Sequence, residues 1–220
     1  MPRLLFEKCG NAVWVSHLDL MRIFQRAFKR AGLPLTHTQG FNPRPSVSIA
    51  LPLSVGVSSS CELLDFELDT DAAVDCDEVR DKLNRVLVEG VRILQVYNEG
   101  RKIRDLTHLR CKVEMHYDNG VPTDACDKLS KLFACKEIIV PKKTKSGVKD
   151  QNIADMIQSL SVSQASNKMI VLDAIICCQN PTLNPMQLPL AGEMYLPELK
   201  PDHSSFHRIE IYDSQNNVFR

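Results

Sequence analysis

The sequence predicts an α+β protein built from two consecutive ferredoxin-like βαββαβ units with antiparallel sheets, the second of them irregular. Two amphipathic helical stretches in the first hundred residues are flanked by short apolar and alternating stretches, in the order β-α-β-β-α-β. A charged segment from Asn98 to Asp105 reads as a linker, and a weaker copy of the same order follows it. These observations place a first domain at residues 1–98 and a second at 106–220.

Leu4 to Val15 is apolar and β-branched, a strand followed by a helix start at Ser16-His17-Leu18-Asp19. That tetrapeptide matches a capping box, whose hydroxyl and carboxylate satisfy free N–H groups of the first helical turn. Leu20, Ile23, Phe24, Ala27, Phe28 and Ala31 form the apolar stripe of the helix, and Gly32 with Pro34 stops it. Residues 47–55 and 61–68 read as two strands joined by a Gly/Ser turn, Asp75 to Val88 as a helix, and Val91 to Tyr97 as a last strand. In the second half the expected order is strand 109–117, helix 123–134, strand 137–142, strand 168–178, a short helix near 185–191 and strand 206–212. Residues 143–152 read as a polar, lysine-rich connection. Pro181, Pro185, Pro189 and Pro197 limit regular structure late in the chain, because each removes a backbone donor.

No run of about 18 uncharged apolar residues is present, and charge appears too early for a signal peptide, so the reading is a cytoplasmic protein with no membrane contact. The eight cysteines show neither a Cys-x-x-Cys pair nor zinc-like Cys/His spacing. Most are expected to be reduced core residues, with no cofactor or metal in this chain. The net charge is zero, but it is distributed in blocks: residues 1–50 carry seven basic and two acidic side chains, residues 62–99 four basic and eleven acidic. A basic face for an anionic partner is compatible with that pattern.

Three segments stand out chemically. Arg22, Arg26 and then Lys29 or Arg30 recur at about one-turn spacing, opposite the apolar stripe, as a phosphate-tracking face requires. In Thr38-Gln39-Gly40-Phe41-Asn42-Pro43-Arg44-Pro45-Ser46, two prolines and a glycine stiffen a loop that offers Gln39, Asn42 and Arg44 as donors and Phe41 as a stacking ring. Arg44 is expected to continue the basic surface of Arg22 and Arg26. Lys142, Lys143 and Lys145 sit in a basic loop that lacks the spacing of a P-loop. His17, near Asp19, is a candidate acid/base, but no serine, cysteine or second histidine is tied to it by sequence.

The run Val15-Ser16-His17-Leu18-Asp19-Leu20-Met21-Arg22, the loop Gln39-Gly40-Phe41-Asn42-Pro43-Arg44-Pro45 and the run Ala50-Leu51-Pro52-Leu53-Ser54-Val55-Gly56 together resemble the radical-SAM-linked protein family. The resemblance is dense over residues 3–97; beyond them it rests mainly on Lys142-Lys143-x-Lys145. It implies a companion of a radical SAM enzyme, with the iron–sulfur cluster and S-adenosylmethionine held by that partner and ribosomal or transfer RNA as the substrate. The tandem order also resembles, at the level of fold, the RAMP superfamily of RNA-binding proteins, although their C-terminal glycine-rich loop is missing here. The leading expectation is a noncatalytic RNA-binding or substrate-presenting accessory protein. A metal-independent endoribonuclease using His17, and a protein-binding adaptor without RNA contact, are the alternatives.

Overall fold

The computed structural model describes residues 1–70, 73–144 and 147–220, with the side chains of residues 143 and 144 left out. The chain divides into two compact units, residues 1–105 with 218–220, and residues 106–217.

The first unit runs β1 (Arg3–Lys8), α1 (His17–Arg30), β2 (Val47–Ala50), β3 (Val57–Phe66), α2 (Cys76–Asn84) and β4 (Val91–Tyr97), with a 3-10 turn at Gly10–Trp14 before α1. The strands stand in the order β4-β1-β3-β2, all antiparallel, which is the ferredoxin-like arrangement. Ser16 caps α1 by accepting the Asp19 N–H at 3.2 Å, and its own hydroxyl donates to the Asp19 carboxylate at 2.7 Å. The other end closes where Gly32 takes φ +68° and the Leu33 N–H reaches back to the Phe28 carbonyl at 3.0 Å. The left-handed backbone of Gly32 lets this closing bond form without a Cβ penalty. Leu20, Phe24, Ala27 and Phe28 pack with Val79 and Leu83 of α2 onto Leu4, Phe6, Leu64, Phe66 and Ile93 of the sheet. Phe6 meets Phe24 edge-on at 4.8 Å between ring centres.

Residues 98–105, expected as a linker, are packed into this unit. A side chain at Gly100 would strike the guanidinium of Arg3, and the Arg101 N–H donates to the Arg220 carbonyl at 3.1 Å. The buried ring of Phe219 lies under Arg3 and Arg101, 5.6 and 5.0 Å from their guanidinium carbons.

The second unit comprises β5 (Leu106–His116), α3 (Ala125–Phe133), a ribbon β6 (Ile139–Thr144) and β7 (Gly147–Asn152), then β8 (Ile157–Ser166), β9 (Met169–Cys177), α4 (Gln187–Tyr195) and β10 (His203–Asp213). Its sheet order β10-β5-β9-β8 repeats that of the first unit. Leu109, Cys111, Val113 and Met115 of β5 alternate into the core with Ile170, Leu172, Ala174 and Ile176 of β9. Two expectations are corrected. Residues 137–142 do not enter this sheet: β6 pairs only with β7, and residues 147–152, read as a connection, form a strand. The strand that follows the first helix of this unit into the sheet is β8, at its edge, whose sequence Ile-Gln-Ser-Leu-Ser-Val-Ser-Gln-Ala-Ser is mostly polar. As an edge strand it buries little, so it carries a weak apolar signature.

The cysteines also differ from expectation. All eight are free, but only Cys61, Cys111 and Cys178 are buried; Cys9 and Cys135 are exposed. No helix among the described residues is long and apolar enough to cross a membrane.

Candidate nucleic-acid interface

The outer face of α1 follows from its inner one. With Leu20, Phe24, Ala27 and Phe28 committed to the core, 3.6 residues per turn place Arg22, Gln25, Arg26 and Lys29 within an arc of about 100° on the opposite side. Arg22, Arg26 and Lys29 are exposed. Arg22 holds Asp19 at 2.8 Å, with both side chains more than half exposed. The Asp19 carboxyl lies below its ordinary range, first because Ser16 hydrogen-bonds to it and then because Arg22 does. An exposed pair of this kind is readily exchanged for a pair with phosphate. Arg30 lies outside this arc, about 40° beyond Arg26, and donates to the Val86 carbonyl. Of the two residues that spacing allowed as the last cation of the face, the fold leaves Lys29 outward and gives Arg30 a structural contact.

The segment 36–46 is a narrow hairpin. His37 and Pro45 face each other, the Ser46 N–H donates to the Thr36 carbonyl at 2.8 Å, the Thr38 N–H to the Arg44 carbonyl at 2.8 Å, and the Arg44 N–H to the Thr38 hydroxyl at 3.1 Å. Its stem lies against α1: Gln25, Phe28 and Lys29 line a groove of about 480 Å³ together with His37, Pro45 and Asp69. Gln39, Phe41, Asn42 and Arg44 are all exposed, and Phe41 completely so. Phe41 therefore has no role in the core.

Arg44 does not line the groove. Side chains alternate along an extended strand, so Arg44 and Thr38 fall on the face of the hairpin opposite to His37 and Pro45. Lys29 and His37 are the ionisable side chains that line the groove together with Asp69.

The other candidates separate from this surface. The imidazole of His17 is half-buried and has no hydrogen-bond partner among the described residues. Lys142 lies in the other unit and donates to the Thr182 carbonyl at 3.0 Å, and Lys143 is placed by its backbone only. Lys145 lies outside the described residues. A contact absent from the sequence reading joins Cys177 to His108, Sγ to Nε2 at 3.6 Å, with the Thr107 hydroxyl at 2.8 Å from Nδ1. Burial pushes the Cys177 thiol up, away from the thiolate that a nucleophile needs. No group of three or more side chains suited to a metal ion occurs among the described residues.

A family model matches residues 2–185, most of the chain. The chain belongs to the family described as "Uncharacterized protein conserved in bacteria (DUF2344)". No curated protein matches it significantly. Among solved structures it is similar to a chain of "Crystal Structure of a Cbf5-Nop10-Gar1 Complex", with 11% identity and a TM-score of 0.52, covering 96% of this chain and 48% of that one. It is also similar to a chain of "Structure of H/ACA RNP bound to a substrate RNA containing 2'-deoxyuridine", with 11% identity and a TM-score of 0.50, covering 94% and 46%. The chain thus spans about half the length of these structural neighbours, and at such identity the likeness is one of fold.

Proposed function

We propose that this protein binds RNA through the outer face of α1 and the hairpin seated beside it, as a noncatalytic accessory protein that presents RNA to another enzyme. The observation that carries the reading is the juxtaposition in one unit of three exposed cations on a helix with a braced hairpin whose tip displays a fully exposed phenylalanine among amide and guanidinium groups. Cations supply sequence-independent affinity for phosphate, and exposed rings accept unstacked bases. The fold of two neighbours drawn from RNA–protein assemblies supports the same reading. A radical SAM enzyme as the partner, holding the iron–sulfur cluster and S-adenosylmethionine, rests on the motif resemblance of residues 3–97.

The test is a binding titration of purified protein with cellular RNA across potassium chloride concentrations. Each phosphate neutralised adds about −0.7 to the logarithmic salt slope for a single strand. A slope near zero, or no binding, sinks the proposal.

A further inference from the structure

The only tryptophan of the chain, Trp14, is 70% exposed, although the turn that carries it is among the most firmly held parts of its unit. Lys8, buried in β1, directs its ammonium to the carbonyls on either side of Trp14, Val13 at 3.3 Å and Val15 at 2.9 Å. A buried ammonium loses hydration, and charge-assisted bonds to carbonyl oxygens are what offset that loss. The Gly56 N–H donates to the same Val13 carbonyl at 2.9 Å, and the Cys9 N–H, at the start of the turn, to the Gly90 carbonyl at 2.8 Å. Both glycines have positive φ, +84° in each case. A Cβ at Gly90 would lie 2.4 Å from the Cys9 carbonyl oxygen, while one at Gly56 would touch the Trp14 ring at 3.4 Å. The backbone therefore runs beneath one part of the indole and leaves most of the ring to solvent.

A turn held this firmly normally feeds its largest apolar side chain to the core, and here it does not. Trp14 stands two residues before the cap of α1, and Leu18 in the first turn of that helix is also exposed. Phe41 stands on the hairpin that packs against the Gln25–Lys29 region, toward the other end of the helix. Arg22, Arg26 and Lys29 project from the helix that joins the Trp14 turn to the segment bearing Phe41, 14 residues and about 21 Å long. Rings at the two ends of a cationic track are the arrangement by which proteins hold single strands, the phosphates following the cations and the bases stacking on the rings. A duplex keeps its bases stacked on one another and cannot use them.

We infer that the ligand of this surface is a single-stranded RNA segment, with Trp14 as the base-stacking platform at the N-terminal end of α1 and Phe41 as the one toward its C-terminal end. The inference rests on the RNA-binding reading above and narrows it to one substrate class. A protein partner covering the apolar residues Trp14 and Leu18 would need neither the cations of α1 nor the absence of base pairing.

Because Trp14 is the sole tryptophan, its emission reports on its own environment. The probe is an oligouridylate of about ten nucleotides, within the roughly 4–16 nucleotides that single-strand-binding folds occupy. It is added to the full chain at low salt, with quenching of Trp14 emission and anisotropy of the labelled strand read together. We expect quenching that saturates with binding. Trp14→Ala should bind about 5- to 150-fold more weakly, the range that one lost base stack carries, while Trp14→Phe recovers part of the loss. Since Trp14 is mostly exposed, Trp14→Ala should melt as the parent does. Salt-sensitive binding without quenching, and with Trp14→Ala unaffected, overturns the inference and leaves the RNA reading standing. Equal quenching by the annealed duplex also overturns it. Failure of every strand to bind overturns both.

Discussion

Each unit carries a hairpin at the same topological place, the connection from its first helix to its second sheet strand, but the two hairpins are held in different ways. Residues 36–46 rest their stem on α1 and leave Gln39, Phe41, Asn42 and Arg44 exposed. The ribbon β6–β7 is tied down. Ile138, Val140 and Ile153 are wholly buried, Tyr195 donates to the Ile139 carbonyl, and Asn152 accepts N–H groups from Ile138 and Ala154. Lys142 and Gln151 both donate to the Thr182 carbonyl. The lysine content of the second hairpin made it a candidate phosphate ligand, yet Lys142 is committed to the fold of its own unit. Composition shows which groups are present; hydrogen bonding decides which of them are available.

The largest difference between the units is expected in alkali. Cys111 and Cys178, both in the second unit, are pushed up from 9 to about 12 by burial, and Tyr117 from 10 to about 12 for the same leading reason. The folded state favours the neutral thiol, so its contribution is complete below about pH 9 and is lost as pH rises toward 12, because the unfolded chain ionises first. At about pH 10.5 each thiol costs roughly 2 kcal/mol, from 1.5 pH units at about 1.4 kcal/mol each. Urea denaturation at about pH 8 and pH 10.5 should show this loss, and Cys111→Ala with Cys178→Ala should remove most of the pH dependence. An unchanged dependence in the double variant would mean that these thiols do not distinguish the second unit.

This contrast also shows what the sequence made legible. The first unit was readable in the order of its elements, and α1 almost to the residue, because that helix announces itself twice: Ser16 and Gly32 mark its ends, and Phe24 and Phe28 mark the face that must turn inward. The second unit has the same strand order but a weaker script. Ser159, Ser161 and Ser163 give β8 no apolar face to recognise, and the apolar start of β6 imitated the missing strand although it serves the ribbon. At the candidate site, helical periodicity gave the face of Arg22 and Arg26. It gave no account of Trp14, which reads as the end of an apolar run; the buried Lys8 and the two glycines that hold the turn become meaningful only once the chain folds back on itself.

Next in size is the effect of the first unit on RNA. Arg22→Ala, Arg26→Ala and Lys29→Ala together remove three cations from one face and should flatten the salt slope by about 2, three phosphates at about 0.7 each. Arg44→Ala alone, on the other face of the hairpin, should change the slope by less than about 0.7. If Arg44→Ala proves as costly as the triple change, RNA follows the outer face of the hairpin and the groove beside α1 is not its path.

A smaller effect should come from the second hairpin. Lys142→Met keeps the aliphatic stem and removes the bond to Thr182, so a loss of about 0.5–1.5 kcal/mol of stability is expected, with little change in RNA affinity. Thermal denaturation and the salt titration measure the two separately. The reverse outcome, unchanged stability with weakened binding, would put the second hairpin on the RNA path beside the first.

The smallest effect is expected at His17. Its ring has no hydrogen-bond partner among the described residues, and Asp19, the carboxylate nearest in sequence, is already occupied by Ser16 and Arg22. General acid/base work needs a group that positions the imidazole and a reactive atom within hydrogen-bond reach. The first turn of α1 supplies neither, and Arg22 is drawn toward the carboxylate that caps the helix. His17→Ala should therefore leave folding and RNA affinity within experimental error of the parent, and incubation with radiolabelled RNA should yield the same uncut strand from both proteins. Discrete products that appear with the parent and vanish with His17→Ala would instead assign the surface to a metal-independent endoribonuclease, with the cations of α1 stabilising the charge that builds on the phosphate.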